Sequence, residues 1–450
     1  MPLTDATRYV QGNLAPVVEE VTASDLEVIG TLPDQLDGRY LRNGPNPIGA
    51  IDPATHHWFV GDGMVHGIRL RGGTAEWYRN RWVRAGDVSA KLGEAERPHP
   101  FGPDRVFAAN TNVIGHAGRT FAIVEAGGVP IELTDTLETV GPCDFEGTLP
   151  GSFSAHPKQD PSTGELHVAA YHWSWGNRMQ YLVVSPQGRV TTALDVPLLG
   201  AGSPMVHDIS ITETRAVLYD MPCIFDLDAA MSGSRLPYRW HPENGTRLGV
   251  MPLGGGAVTW VELPEPCYVY HPLNAFDLPD GRIRLDVIVH PKTFAADVHG
   301  PDEGRPTLQR WIVDADGGRV STEVLDDRGQ EFPRVDERLV GRDARYGYCV
   351  NVSAGVQPAG LTRHDLHTGE TVTYDHGPGR STMETVFVPA GPDAAETDGW
   401  LMSVVHDEAT NRGELVLLDA RDLGAPPVAR VLLPARVPYG FHGNWVPAGR

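Results

Sequence analysis

The chain has little of what several large function classes require. Only four cysteines occur in 450 residues: Cys143, Cys223, Cys267 and Cys349. No two form a CxxC pair, so a thiolate zinc site is not written into the chain, and buried reduced thiols are expected. Basic residues are in deficit, with 37 Lys and Arg against 58 Asp and Glu and a formal charge of −21. Nucleic acid is a poor partner for such a chain, because phosphate contacts need clustered Lys and Arg. No run of about 18 apolar residues occurs, so no helix is expected to span a bilayer. Residues 1–20 show neither a basic n-region nor an apolar h-region, so no export signal is expected and the protein is read as cytoplasmic. There is no HExxH, and Gly61-Asp62-Gly63 does not extend to GxGxxG, so this segment reads as a hairpin turn rather than a phosphate loop. Linkers and low-complexity stretches are missing too, so residues 1–450 are read as a single domain.

Glycine and proline, by contrast, are plentiful, at 51 and 38 residues. Long helices tolerate neither, which favours many short strands joined by turns. Turn clusters recur between strand-like runs, at Asp160–Gly164, Pro186–Gly188, Pro279–Gly281, Asp314–Gly318 and Asp365–Gly369. One stretch, Val88–Glu96, reads as a short helix. The expectation is an all-β fold, and a chain of this size has to dispose of its sheet edges. A propeller does so by radial repetition of four-stranded blades.

No repeated motif is visible, but polar residues recur at blade-like intervals. His156, His207 and His271 each stand at the start of a strand-like run, and so does His442 near the end. Glu331 and Glu384 occupy the same kind of position. Steps of 51, 64, 60, 53 and 58 residues separate these six sites in chain order, and Thr111 lies 45 residues before His156. Each step matches one four-stranded blade with its loops. One polar residue would then head the innermost strand of each blade, and all would meet on the axis. The strand after His442 is expected to pair with the early hairpin around Gly63–Leu70, giving a seventh, shared blade without a free edge. Four neutral imidazoles on one axis suit a divalent transition metal. An octahedral iron(II) so held would keep open positions for dioxygen and substrate, with carboxylates behind the imidazoles accepting their outer N–H groups.

These segments resemble the carotenoid cleavage oxygenase family, which includes carotenoid, apocarotenoid and stilbene-cleaving dioxygenases and a retinoid isomerase. The resemblance begins at Gly38-Arg39-Tyr40-Leu41-Arg42-Asn43-Gly44-Pro45-Asn46-Pro47. It runs through Trp58–His66 and Ala109-Asn110-Thr111-Asn112-Val113, and ends at Val437-Pro438-Tyr439-Gly440-Phe441-His442-Gly443. It implies a seven-bladed β-propeller with loops and short helices capping one face. It also implies one Fe(2+) per chain, held on the axis by His156, His207, His271 and His442, with dioxygen as co-substrate. Glu125, Glu331 and Glu384 match the family glutamates, which should serve His207, His271 and His442 respectively. Thr111 matches a threonine near an open iron position. No catalytic group beyond the metal centre is implied.

The expected activity is oxidative cleavage of a carbon–carbon double bond to two carbonyl products. Stilbene-cleaving members carry a lysine where this chain has Val124, which cannot hydrogen-bond a phenolate. An apolar polyene, carotenoid or apocarotenoid, is therefore preferred over a stilbene or phenylpropene. Phe59, Val124, Trp173 and Phe441 are the pocket candidates, with Trp58, Trp175 and Tyr439 as further aromatics for an access tunnel. Apolar stretches such as Pro222–Leu227, taken as exposed, suggest transient contact with a membrane surface. No protein partner is implied. His66, His167 and His172 fall off the blade-start positions and are read as structural. Three alternatives stay open: a non-catalytic binding propeller, a propeller hydrolase with calcium or zinc, and an isomerase using the same iron site.

Overall fold

A computed structural model describes residues 9–102, 105–301, 303–353 and 357–449. Its sheets form a seven-bladed propeller, with strands running outward from the axis. Four blades are simple antiparallel meanders, starting at Asn112–His116, Lys158–Gln159, Pro272–Asp277 and Gln330–Arg334. The blade that starts at Ile209–Ile211 carries an insertion after its second strand. This insertion is a two-stranded ribbon, Cys223–Phe225 with Tyr238–Trp240, spanned by the helix Leu227–Met231. Another blade takes its outer strand, Val28–Gly30, from the N-terminal region, beside Ala429–Leu432. In each blade the second strand lies between neighbouring sheets, so it loses the polar/apolar alternation of a half-exposed strand. Ile283–Val289 is buried at every position. Its two charges survive there because Arg284 and Asp286 pair at 2.6 Å and Arg310 adds a second guanidinium at 2.9 Å.

The closing blade joins both ends of the chain. Gly443–Pro447 pairs with Asp37–Pro45, not directly with the Gly63–Leu70 hairpin as the sequence suggested. Asp37–Pro45 lies between them, since Gly63–Arg71 pairs along its other edge. Two glycines make this seam close. A Cβ on Gly440 would stand 2.6 Å from the Asn43 carbonyl oxygen, and one on Gly443 would stand 2.6 Å from that of Leu41. That is the physical content of the Gly-Phe-His-Gly segment: the backbone approaches too closely for any side chain.

Helix is scarce. The Val88–Glu96 expectation is met by a single turn, Val88–Lys91. Among the described residues no helix is long and apolar enough to cross a membrane.

Candidate metal centre and cavity

The seven polar residues predicted to head the inner strands do so. Thr111 and His271 directly precede theirs, His156 and His207 stand two residues before Lys158–Gln159 and Ile209–Ile211, Glu331 lies within Gln330–Arg334, Glu384 lies between Arg380–Thr382 and Val386–Pro389, and His442 precedes Gly443–Pro447. Four imidazoles converge on the axis. One nitrogen from each of His156, His207, His271 and His442 lies within 4.8 Å of all the others. His207 Nε2 and His271 Nε2 are 3.2 Å apart. His156 Nε2 is buried and has no hydrogen-bond partner among the described residues.

Behind three of the rings stand the three expected glutamates, paired as the resemblance implied. His271 Nδ1 donates to Glu331 Oε2 at 2.6 Å, and His442 Nδ1 donates to Glu384 Oε1 at 2.9 Å. His207 Nδ1 and Glu125 Oε2 approach to 2.7 Å, although the N–H direction misses a straight hydrogen bond. A carboxylate only accepts, so each contact places the imidazole proton on Nδ1 and leaves the Nε2 lone pair facing the axis. His156 has no such carboxylate. Its Nδ1 lies 3.8 Å from Asp208, whose charge is taken up by Lys158 at 2.8 Å.

Burial opposes charge on His156, His207, His442, Glu331 and Glu384, but neighbours decide the outcome. Burial and then the rings of His442, His207 and His271 hold His156 well below the usual imidazole range. Burial also takes His442 down to about 4, against the pull of Glu384. Burial is the largest influence on His207 and acts to lower it, but Glu125, Asp208 and Glu331 together outweigh it and the net shift is upward. Burial acts to raise the Glu331 carboxyl, yet His271 and His290 hold it below the carboxylate range. For Glu384, Arg334 and His442 win against burial and bring it to about 2. The result is anionic carboxylates arrayed behind a knot of imidazoles. A divalent cation fits that knot. His156, His207, His271 and His442 would supply four imidazole nitrogens, all within 4.8 Å of one another, to such an ion.

Several supporting residues carried no signal in the sequence. His290 Nε2 donates to the second oxygen of Glu331 at 2.7 Å. The Tyr171 hydroxyl donates to Glu125 Oε1 at 3.3 Å. Three asparagines brace the Thr111 segment: Asn43 Nδ2 donates to the carbonyls of Ala109 and Asn112, each at 2.8 Å, Asn110 Nδ2 to Gly61 at 2.9 Å, and Asn112 Nδ2 to Ala155 at 2.9 Å. All three belong to motifs that the sequence flagged as words without assigning roles.

Beside the imidazoles opens a cavity of about 1090 Å³. Its wall includes all four pocket candidates, Phe59, Val124, Trp173 and Phe441, together with Thr111, Trp58 and the rings of His207, His271 and His442. Trp175 and Tyr439 are absent from that wall. Trp175 instead lies under the Arg178 guanidinium, 5.0 Å from it, and the Tyr439 hydroxyl is bonded to Ser381. The Pro222–Leu227 expectation also needs correcting. Pro222, Cys223 and Ile224 are buried, because the ribbon packs them against the core, and only Leu227 of this stretch is exposed. His66, His167 and His172 lie outside the cluster, each with its Nδ1 on a hydroxyl: Tyr78 at 2.9 Å, Tyr181 at 2.7 Å and Ser174 at 2.6 Å.

Comparison with known proteins agrees with this geometry. The family described as "Retinal pigment epithelial membrane protein" matches residues 14–447. The chain belongs to the carotenoid cleavage oxygenase family. It is 46% identical to a Mycobacterium tuberculosis protein named carotenoid cleavage oxygenase, across 98% of this chain and 97% of that one. It is 32% identical to the isoeugenol monooxygenase of Pseudomonas nitroreducens, across 97% of each. The lignostilbene dioxygenase of Pseudomonas brassicacearum superposes with a TM-score of 0.89 at 29% identity, covering 98% of this chain and 99% of that one.

Proposed function

We propose that this protein is a non-haem iron(II) dioxygenase that cleaves a carbon–carbon double bond of an apolar polyene, a carotenoid or apocarotenoid, into two carbonyl compounds. The observation that carries this reading is the meeting of four buried imidazoles with a cavity large enough for an extended apolar molecule. His156, His207, His271 and His442 would hold one Fe(2+). When bound, it supplies the redox chemistry that lets dioxygen react with an alkene. An alkene plus dioxygen equals two carbonyls, with no proton or reductant left over. The reaction so written calls for no general acid or base. Glu125, Glu331 and Glu384 fix the imidazole tautomers and offset the metal's charge. Phe59, Phe332 and Phe441 hold the alkene beside the rings and keep water out. The Thr111 hydroxyl donates to Asn110 Oδ1 at 3.1 Å, which turns it away from proton transfer and leaves Thr111 as a wall near the open metal position.

Cleavage of a stilbene or phenylpropene to aromatic aldehydes is the second reading, favoured by the likeness to lignostilbene dioxygenase. Val124 weighs against it, since it offers no partner to a phenol oxygen. We further read residues 1–450 as one domain, because strands from near both ends complete shared blades. A cytoplasmic location is in keeping with four buried free cysteines. Transient membrane contact is supported by Trp173, Leu227 and Met231, which line the cavity and are 46%, 60% and 80% exposed.

Incubation of iron-loaded protein with apocarotenals, stilbenes and phenylpropenes tests the reading through oxygen uptake and product masses. Paired carbonyl products from a polyene support it. Turnover without oxygen uptake, or stoichiometric binding without turnover, overturns it.

A further inference from the structure

Arg334 is a buried cation at the metal centre that no spacing rule singles out. All of its donor groups are taken. Nε donates to Glu337 Oε1 at 3.2 Å and Nη2 donates to the same oxygen at 2.9 Å. Nη2 also donates to Asn444 Oδ1 at 2.8 Å. Nη1 donates to the Gly443 carbonyl at 3.1 Å and reaches Glu384 Oε2 at 3.2 Å. One guanidinium thus touches three inner strands: its own, the one beside Glu384 and the closing strand Gly443–Pro447.

The same few atoms recur on the other side. Glu384 Oε2, the oxygen facing Arg334, also accepts from Gly443 N at 2.8 Å, while Oε1 accepts from the His442 ring. Asn444 carries the connection onward, with Nδ2 donating to Asn112 Oδ1 at 3.0 Å and to the Val113 carbonyl at 2.9 Å. A small second cavity of about 100 Å³ shares His271 and His442 with the large one and is walled by Arg334, Glu337, Glu384, Asn112 and Asn444. The network therefore sits directly against the imidazoles.

We propose that Arg334 is a positioning residue of the metal centre: it clamps Glu384 to the closing strand, so that sealing the ring and aiming His442 at the axis become one event. A guanidinium is needed because the task is a planar fork of five donors, which an ammonium cannot reproduce. A buried carboxylate with one oxygen held by both a fixed cation and a backbone amide has a single orientation, and the ring bonded to its other oxygen inherits that orientation.

The inference rests on the reading that the four imidazoles hold a metal, so the test measures cobalt(II) binding by chelator competition and visible absorption, apart from any activity. Wild-type protein and Glu323→Gln, an exposed residue on Arg319–Asp326 outside this network, are expected to bind alike. Arg334→Met is expected to bind about 10–100-fold more weakly and to show a changed cobalt spectrum at saturation. Arg334→Lys, which keeps the charge beside Glu384 but not the fork, is expected to recover part of the affinity and guards against a misfolded Met variant. Wild-type affinity and spectrum in Arg334→Met, or in Arg334→Lys should the Met variant not fold, would overturn the proposal. Failure of wild-type protein to bind cobalt would instead remove the metal reading beneath it.

Discussion

His207 Nε2 and His271 Nε2 face each other at 3.2 Å, although their outer nitrogens each lie against a different glutamate. Each Nδ1 lies against a carboxylate, so the two Nε2 atoms are left to meet in a buried space, where a shared proton or a metal cation is needed to join them. Removal of one ring should therefore abolish metal binding before it damages the fold. His207→Ala is expected to weaken metal affinity by more than about 100-fold, with the thermal transition of the metal-free protein little changed. Metal analysis of the purified variant checks this, and a full equivalent of metal would contradict it.

Glu331 accepts from His271 and His290 with its two oxygens, at 2.6 and 2.7 Å. An amide in its place can satisfy only one of those donors, since its NH2 group would face the other N–H. Glu331→Gln is expected to retain some metal but to lose about 10–100-fold in affinity and turnover. Equilibrium metal titration alongside steady-state rates measures both.

The seam between Asp37–Pro45 and Gly443–Pro447 has no room for a methyl group at its glycines. Gly443→Ala would press a Cβ to 2.6 Å from the Leu41 carbonyl oxygen. It is expected to cost about 1–3 kcal/mol in stability and to weaken metal binding through His442. Gly391→Ala, where a Cβ meets nothing within 4 Å, serves as the silent control in the same denaturation series.

Three buried imidazoles away from the metal centre set a pH dependence. Burial, the largest influence on each, takes His66 down to about 3, His167 to about 4 and His364 to about 4. In the unfolded chain these groups protonate near pH 6.5. As pH falls below that value the unfolded state takes up protons first. Stability is therefore fully present above about 6.5 and declines toward pH 4, by about 1.4 kcal/mol per pH unit for each group. Urea midpoints between pH 7.5 and 4.5 should show this slope, and His167→Gln should make it shallower by one group's share. An unchanged slope in that variant would refute the assignment.

Much of the fold was legible because a propeller repeats its chemistry at blade length. His156, His207, His271, Glu331, Glu384 and His442 could be placed on one axis from spacing alone, since each heads an inner strand and inner strands converge. Glu125 needed the family resemblance, because it follows the second strand of its blade and has no place in that rhythm. His290, Arg334 and the three asparagines had no rhythm either; their roles depend on which segments of different blades meet near the axis. Trp175 and Tyr439 were misplaced as tunnel residues for a related reason. An aromatic side chain near the site in sequence can turn to an arginine or a serine on the outside of the wall, and composition does not record that choice. The partner of the last strand was misjudged by one strand, since either edge of the N-terminal hairpin satisfies the same alternation.

The closing strand has a consequence for assembly. His442 reaches the other three imidazoles only when the ring is shut, so the bound ion would act as a clasp across the closing join of the circle. By mass action, a ligand that binds only the latched form at a hundred times its dissociation constant adds about 2.7 kcal/mol against unlatching. Starvation for metal would then loosen the molecule at one defined place rather than soften it throughout.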